Sequence, residues 1–220
     1  MINENSMYVM KQPSHSVACV VVVQSLPLKE NEHWALDKLS SFTDLIFVFK
    51  NEREARIKKF CSLYNGCGYI ENKKDGWISL VTALEYCQEI FKKHVGYLIT
   101  RTDILGSVQN INPQKILEIC GSDLRKPIFE PIRLSALELG EIYMQKKWFL
   151  EKENETRMYS THRSNTPIMY FPAVTMKNIL DQVTERYIKT FTEDDPSYFL
   201  ASLTVHLGIE VSDYDITKQV

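Results

Sequence analysis

Seven consecutive residues, Val17-Ala18-Cys19-Val20-Val21-Val22-Val23, are apolar, and five of them are β-branched. The run is far too short to span a bilayer. It also lacks the alternation of a strand with one wet face. Such a run fits a strand buried on both faces, which parallel sheets covered by helices require. Three similar segments follow: Asp44 to Phe49, Tyr69-Ile70, and Val95 to Thr100. Helical patterns separate them. Glu32 to Ser40 is one. Glu52 to Leu63, with Asn51 as its cap, is a second. Asp75-Gly76 opens a third, Trp77 to Lys93, whose Leu80, Val81, Leu84 and Cys87 recur on one face. Strands alternating with helices define βαβ units, so the expected fold is α/β with a mostly parallel, mixed sheet.

Beyond Asp103 the pattern loosens. Pro113 to Cys120 reads as a helix capped by Asn112 and ended by Gly121. Lys147-Trp148-Phe149-Leu150 reads as a strand and Glu151 to Thr156 as a charged, exposed loop. Met169-Tyr170-Phe171 is a short strand and Val174 to Phe191 a long helix. Pro196 to Leu207 is a helix stopped by Gly208, and Ile209-Glu210-Val211 closes the domain. Residues 1–15 read as a flexible N-terminal segment. Residues 16–220 read as one domain, because no internal repeat, low-complexity tract or linker divides them.

Composition narrows the function classes. With 26 basic and 28 acidic residues the net charge is −2, which gives no electrostatic case for nucleic acid. The five cysteines are irregularly spaced with no CxxC, so they read as small core residues rather than zinc ligands. No G-x-S-x-G, Walker loop or Gly-rich dinucleotide fingerprint occurs, which leaves hydrolase, kinase and dehydrogenase readings without support. Residues 1–16 are polar and lack a signal-peptide core, and no membrane span is present. The chain as written is expected to be soluble and cytoplasmic. As a domain of a longer membrane-anchored protein it would face the Golgi lumen.

The chemistry-bearing residues gather at strand ends. The strand ending at Thr100 runs into Arg101-Thr102-Asp103. In open α/β sheets ligands bind just beyond the C-terminal ends of strands. A carboxylate there can hold a divalent cation, manganese or magnesium, which in turn holds a diphosphate. Arg101 can meet phosphate oxygens directly through its planar fork. Gln24 and Ser25, after the first apolar strand, can hydrogen-bond a base or ribose. The plainer role for Asp103 is to cap a turn or helix. Glu193-Asp194-Asp195 precedes Pro196, where negative charge suits a helix N-terminus and Asp195 can serve as N-cap.

The order of motifs in the second half adds a family. Lys147-Trp148-Phe149 is followed by Ser164-Asn165-Thr166-Pro167-Ile168-Met169-Tyr170-Phe171 and an amphipathic helix. Glu193-Asp194-Asp195-Pro196 and Leu207-Gly208-Ile209 come next. This order resembles GT-A-type glycosyltransferases, notably the β-1,3-galactosyltransferase-like group, and Gly96-Tyr97-Leu98 resembles STELLO-like proteins. The resemblance spans roughly residues 17–212. It implies a metal-assisted transfer of sugar from a nucleotide-diphosphate donor to a hydroxyl acceptor such as a glycan. It places Asp103 as metal ligand and Arg101 on the diphosphate. Asp194 or Asp195 becomes the base for the acceptor hydroxyl, and Lys73 or Lys74 a donor contact. Apart from the resemblance, His162 in the Ser160 to Asn165 loop is a candidate to line an acceptor site. Arg101 stands where the family has a first carboxylate, and the turn at Ser164 to Pro167 lacks the family's glycine. The alternative is a catalytically inactive domain of this fold that binds a glycan or protein.

Overall fold

A computed structural model describes residues 7–50, 52–72, 76–90, 92–122, 125–141, 161–183 and 196–218. In chain order the elements are β1 (Met7–Val9), β2 (Val17–Val23), α1 (Glu30–Ser40), β3 (Asp44–Lys50), α2 (Glu54–Leu63) and β4 (Gly68–Asn72). Then come α3 (Gly76–Ile90), β5 (Gly96–Arg101), α4 (Thr102–Leu105), α5 (Pro113–Ser122) and β6 (Pro131–Arg133). The last are β7 (His162–Ser164), β8 (Ile168–Pro172), α6 (Ala173–Gln182) and α7 (Pro196–His206).

Six strands form one sheet in the order β1-β4-β3-β2-β5-β8. The four central strands are parallel, and β1 and β8 run antiparallel at the two edges. The chain steps outward from β2 to β3 and β4, then returns through α3 to β5 on the other side of β2. Strand crossovers keep one hand, so reversing the direction of travel moves the connecting helix to the opposite face. The packing obeys this rule. Val17, Cys19, Val21 and Val23 share a core with Leu36 and Leu39 of α1, Ile57 and Phe60 of α2, and Ile116 of α5. Ala18, Val20 and Val22 share the other with Leu80, Val81 and Leu84 of α3, Ile179 of α6 and Phe199 of α7. Alternate residues of β2 thus fill two cores, which is why its sequence shows no polar alternation.

Several boundaries differ from the sequence reading. α1 begins at Glu30 rather than Glu32, because the Glu32 carboxylate accepts the Lys29 backbone N–H at 2.7 Å and so caps a turn that starts earlier. Arg53, not Asn51, is the N-cap of α2. Asn112 does cap α5, accepting the Lys115 N–H at 3.1 Å, but the helix passes through Gly121 to Ser122. Ile209 to Val211 follow α7 without regular structure. Ser212 instead bridges Ile128 beside β8. α6 ends at Gln182 rather than running on to Phe191, because Val183 turns extended as its C-cap; the expected strand at 147–150 and loop at 151–156 lie outside the described residues.

Within the segment read as a flexible lead-in, residues 7–9 form β1 and Tyr8 stacks on Tyr69 with ring centroids 4.8 Å apart. Asp44, at the start of β3, anchors the chain at residues 14 and 15. Its carboxylate is buried and accepts the Ser14 N–H at 3.0 Å, the His15 N–H at 2.9 Å and the Cys67 thiol at 3.3 Å. His94 Nε2 lies 2.9 Å away. Burial pushes this carboxyl up, but hydrogen bonds from Ser14, His94, His15 and Cys67 outweigh it and hold it well below the usual carboxylate range. The knot lies at the N-terminal ends of the central strands, opposite the end that a ligand would use.

Candidate functional site

β2 and β5 are neighbours in the sheet but belong to different halves of the winding, so the crevice beyond their C-terminal ends is the topological switch point. Val22 is in register with Arg101, which sets the two strand ends level. The Gln24 backbone N–H donates to Thr102 Oγ1 at 3.2 Å. Thr102 itself is buried, so its hydroxyl fixes the chain after β2 against the chain after β5. Gln24 and Ser25 follow the end of β2 and are exposed, as Arg101 and Asp103 follow the level end of β5. On the α1 side, the Asn31 amide donates to the Gly106 carbonyl, tying α1 to the end of α4. On the other side, Thr100 Oγ1 donates to the Pro167 carbonyl at 2.7 Å, fixing the turn that enters β8.

Arg101 ends β5 and is the N-cap residue of α4, a single turn. Its guanidinium grips Asp103 with both ends of the fork: Nε donates to Oδ1 at 3.0 Å and Nη2 donates to Oδ2. Burial pushes Asp103 up, but the Arg101 hydrogen bond and charge, aided by the N–H groups of Asp103 and Ile104, hold its carboxyl below the usual range. Both groups are therefore charged at neutral pH. The Arg101 side chain is 17% exposed and that of Asp103 is 45% exposed, so the arginine is the better shielded partner.

A divalent cation is a poor fit to this arrangement. Both oxygens of Asp103 are committed to Arg101. Among the described residues no three histidine, cysteine, aspartate or glutamate side chains form a group that could hold a metal ion. The arrangement instead presents an arginine whose fork a phosphate could share or take over.

Of the residues singled out from the sequence, Gln24, Ser25, Arg101 and Asp103 come together at this crevice. Lys73, Lys74, Asp194 and Asp195 lie outside the described residues. The turn expected to need glycine is built from hydroxyls: Ser164 Oγ and Thr166 Oγ1 are 2.7 Å apart, and Ser164 Oγ accepts the Thr166 N–H at 3.2 Å. Sequence reasoning missed Thr100 and Thr102, the two threonines that clamp the crevice. Their signal was present. Both flank Arg101 at a strand end, where a buried hydroxyl has a partner within reach.

No protein-family model matches the chain, and no curated protein sequence matches it. Solved structures do. The 4-diphosphocytidyl-2C-methyl-D-erythritol synthase of Anaerococcus prevotii matches with a TM-score of 0.52 over 93% of this chain and 92% of its own, at 13% identity. A second 4-diphosphocytidyl-2C-methyl-D-erythritol synthase matches at 0.51 over 94% of both chains, at 10% identity. A CMP:2-keto-3-deoxy-manno-octonic acid synthetase in complex with CTP gives 0.47, covering 91% of this chain and 89% of its own, at 10% identity.

The chain therefore shares the α/β fold of the two 4-diphosphocytidyl-2C-methyl-D-erythritol synthase structures, with a six-stranded, mainly parallel sheet. Neither structure singles out the β-1,3-galactosyltransferase-like or STELLO-like groups. Among the described residues no helix is long and apolar enough to cross a membrane.

Proposed function

We propose that the protein binds a nucleotide-diphosphate sugar at the switch point between β2 and β5 and transfers the sugar to a hydroxyl acceptor. The observation that supports this is the clamp of Gln24 to Thr102, which ties two exposed polar residues after β2 to the turn that carries Arg101 and Asp103 after β5. Gln24 and Ser25 would contact the nucleoside, and Arg101 the diphosphate. In the transfer, the bond from the anomeric carbon to the phosphate oxygen breaks and the diphosphate leaves with the electron pair. Arg101 would neutralise that developing charge in place of part of a metal's work. The acceptor oxygen bonds to the anomeric carbon. Its proton goes to Asp194 or Asp195. Lys73 and Lys74 would supply further positive charge to the donor. Asp103 would position Arg101, and would act as a metal ligand only if the arginine turned to phosphate and freed it.

Attack on a nucleoside triphosphate is a less suitable reading. The chain after β2 reads Gln24-Ser25-Leu26-Pro27-Leu28-Lys29 and contains no glycine, whereas cradling a triphosphate in backbone N–H groups calls for glycine-rich turns. A second reading, binding without turnover, draws on the closed Arg101–Asp103 pair, which leaves no carboxylate open to a cation there.

The test is thermal stability against a panel of nucleoside diphosphates and nucleotide sugars, with and without manganese. A ligand at 100 times its dissociation constant adds about 2.7 kcal/mol. A shift that Arg101→Ala abolishes supports the site. Release of nucleoside diphosphate when an acceptor is added then separates transfer from binding alone. A folded protein that responds to none of the panel overturns the transferase reading and favours a domain that binds a glycan or protein without turnover.

A further inference from the structure

β6 and β7 form a two-stranded ribbon outside the main sheet, antiparallel, with Arg133 directly opposite His162. Residues opposite one another in an antiparallel pair project on the same face. α7 holds the ribbon through one side chain. Ser202 Oγ accepts the backbone N–H groups of Thr161 at 3.0 Å and His162 at 3.1 Å, and donates to the His162 carbonyl at 2.9 Å. Ser202 is itself buried. His206 stands one helical turn beyond Ser202, on the same face of α7 and so alongside the ribbon. Three side chains that can carry positive charge, from three elements, thus share one rigid patch.

Burial and like charge both act on the histidine. Burial, Arg133 and His206 together push the His162 imidazole below its usual range. No ion pair to Arg133 occurs among the described residues. The nearby Glu138 is committed elsewhere, to Arg163 at 3.2 Å and to the Ser135 N–H at 2.9 Å. His162 Nδ1 lies 2.9 Å from Thr161 Oγ1, so Nε2 is the ring atom left to meet an incoming group. Holding like charges together on a fixed scaffold costs free energy that a bound anion recovers.

The patch is also connected to the crevice. β7 ends at Ser164 and the turn Asn165 to Pro167 comes next; the Pro167 carbonyl accepts from Thr100, the residue before Arg101. β8 lies on the far side of β5 from β2, so the ribbon that leads into it stands on that side of the crevice.

We propose that Arg133, His162 and His206 form an anion subsite for the acceptor, which carries a phosphate or carboxylate close to its reacting hydroxyl. This inference rests on the transferase reading for the word acceptor, but the subsite itself can be tested without any nucleotide. His162 would be followed by NMR through its ring resonances, with inorganic phosphate as the probe and acetate as the carboxylate counterpart. Phosphate should raise the His162 titration midpoint by at least about half a pH unit, since a bound anion favours the imidazolium. Arg133→Gln, a change at an exposed position, should remove most of that rise while the protein stays folded. An unchanged midpoint at tens of millimolar phosphate and acetate overturns the subsite. Uridine diphosphate that produces the same rise and competes with phosphate would assign the patch to the donor and overturn the acceptor. Failure of the nucleotide panel with a positive His162 response would instead sink the transferase reading and leave the anion site standing.

Discussion

Asp44 and Asp103 are both charged carboxylates held below their usual range, and they should behave in opposite ways when changed. Asp44 is buried under four donors from distant parts of the chain. Asp44→Ala leaves Ser14, His15, Cys67 and His94 without their acceptor, so it should cost at least about 3 kcal/mol in denaturant unfolding. Its stabilisation is fully present above the ordinary carboxylate pKa of about 4 and is lost as pH falls below that, because the unfolded state takes up the proton first. The stability gap between the wild type and Asp44→Asn should therefore narrow on acidification below pH ~4. Asp103 is nearly half exposed, so water screens its pairing with Arg101. Arg101→Ala should leave stability within about 1 kcal/mol while abolishing any nucleotide-induced thermal shift. From sequence, Arg101 and Asp103 could be singled out because a strand end and two charged residues are adjacent. The Asp44 knot was illegible, since its partners are 30 and 50 residues away in sequence.

At the scale of elements, the β5–β8 pairing is the seam that delivers Thr100 and Arg101 to the crevice. Gly96 begins β5 opposite Pro172, and a Cβ there would lie 2.6 Å from Tyr170 Cζ, inside a fully buried ring. Gly96→Ala should cost about 1–3 kcal/mol, read as a lowered melting temperature, because the ring has nowhere to go. β2 was legible in full because all seven residues are buried on both faces and none needs a distant partner to declare itself. β1 was not. Three residues, Met7-Tyr8-Val9, hold a strand only through pairing with β4 and the Tyr8–Tyr69 stack, neither of which local sequence encodes. The same holds for β6 and β7, whose three-residue strands depend on each other and on Ser202. Removing residues 1–9 should bare the β4 edge and promote self-association, visible by light scattering.

For the whole molecule, the alternation of buried strands and helices was enough to give the mostly parallel α/β class, while the strand order that sets the switch point between β2 and β5 comes only from the structure. The helices covering each face obey the single crossover hand. What alternation cannot specify is chemistry, since one fold serves many reactions. Here the candidate residues sit at short turns, where Ser164 pairs with Thr166 through their hydroxyls and Arg101 pairs with Asp103. The central claim is that a nucleotide occupies the end of the sheet formed by β2 and β5. The most direct test is amide chemical-shift mapping with a nucleoside diphosphate. Perturbations at Gln24, Ser25 and Arg101 to Leu105, with Asp44 and His94 at the opposite end unmoved, are the predicted result. Shifts centred on Asp44 and His94, or none at saturating ligand, would contradict the account.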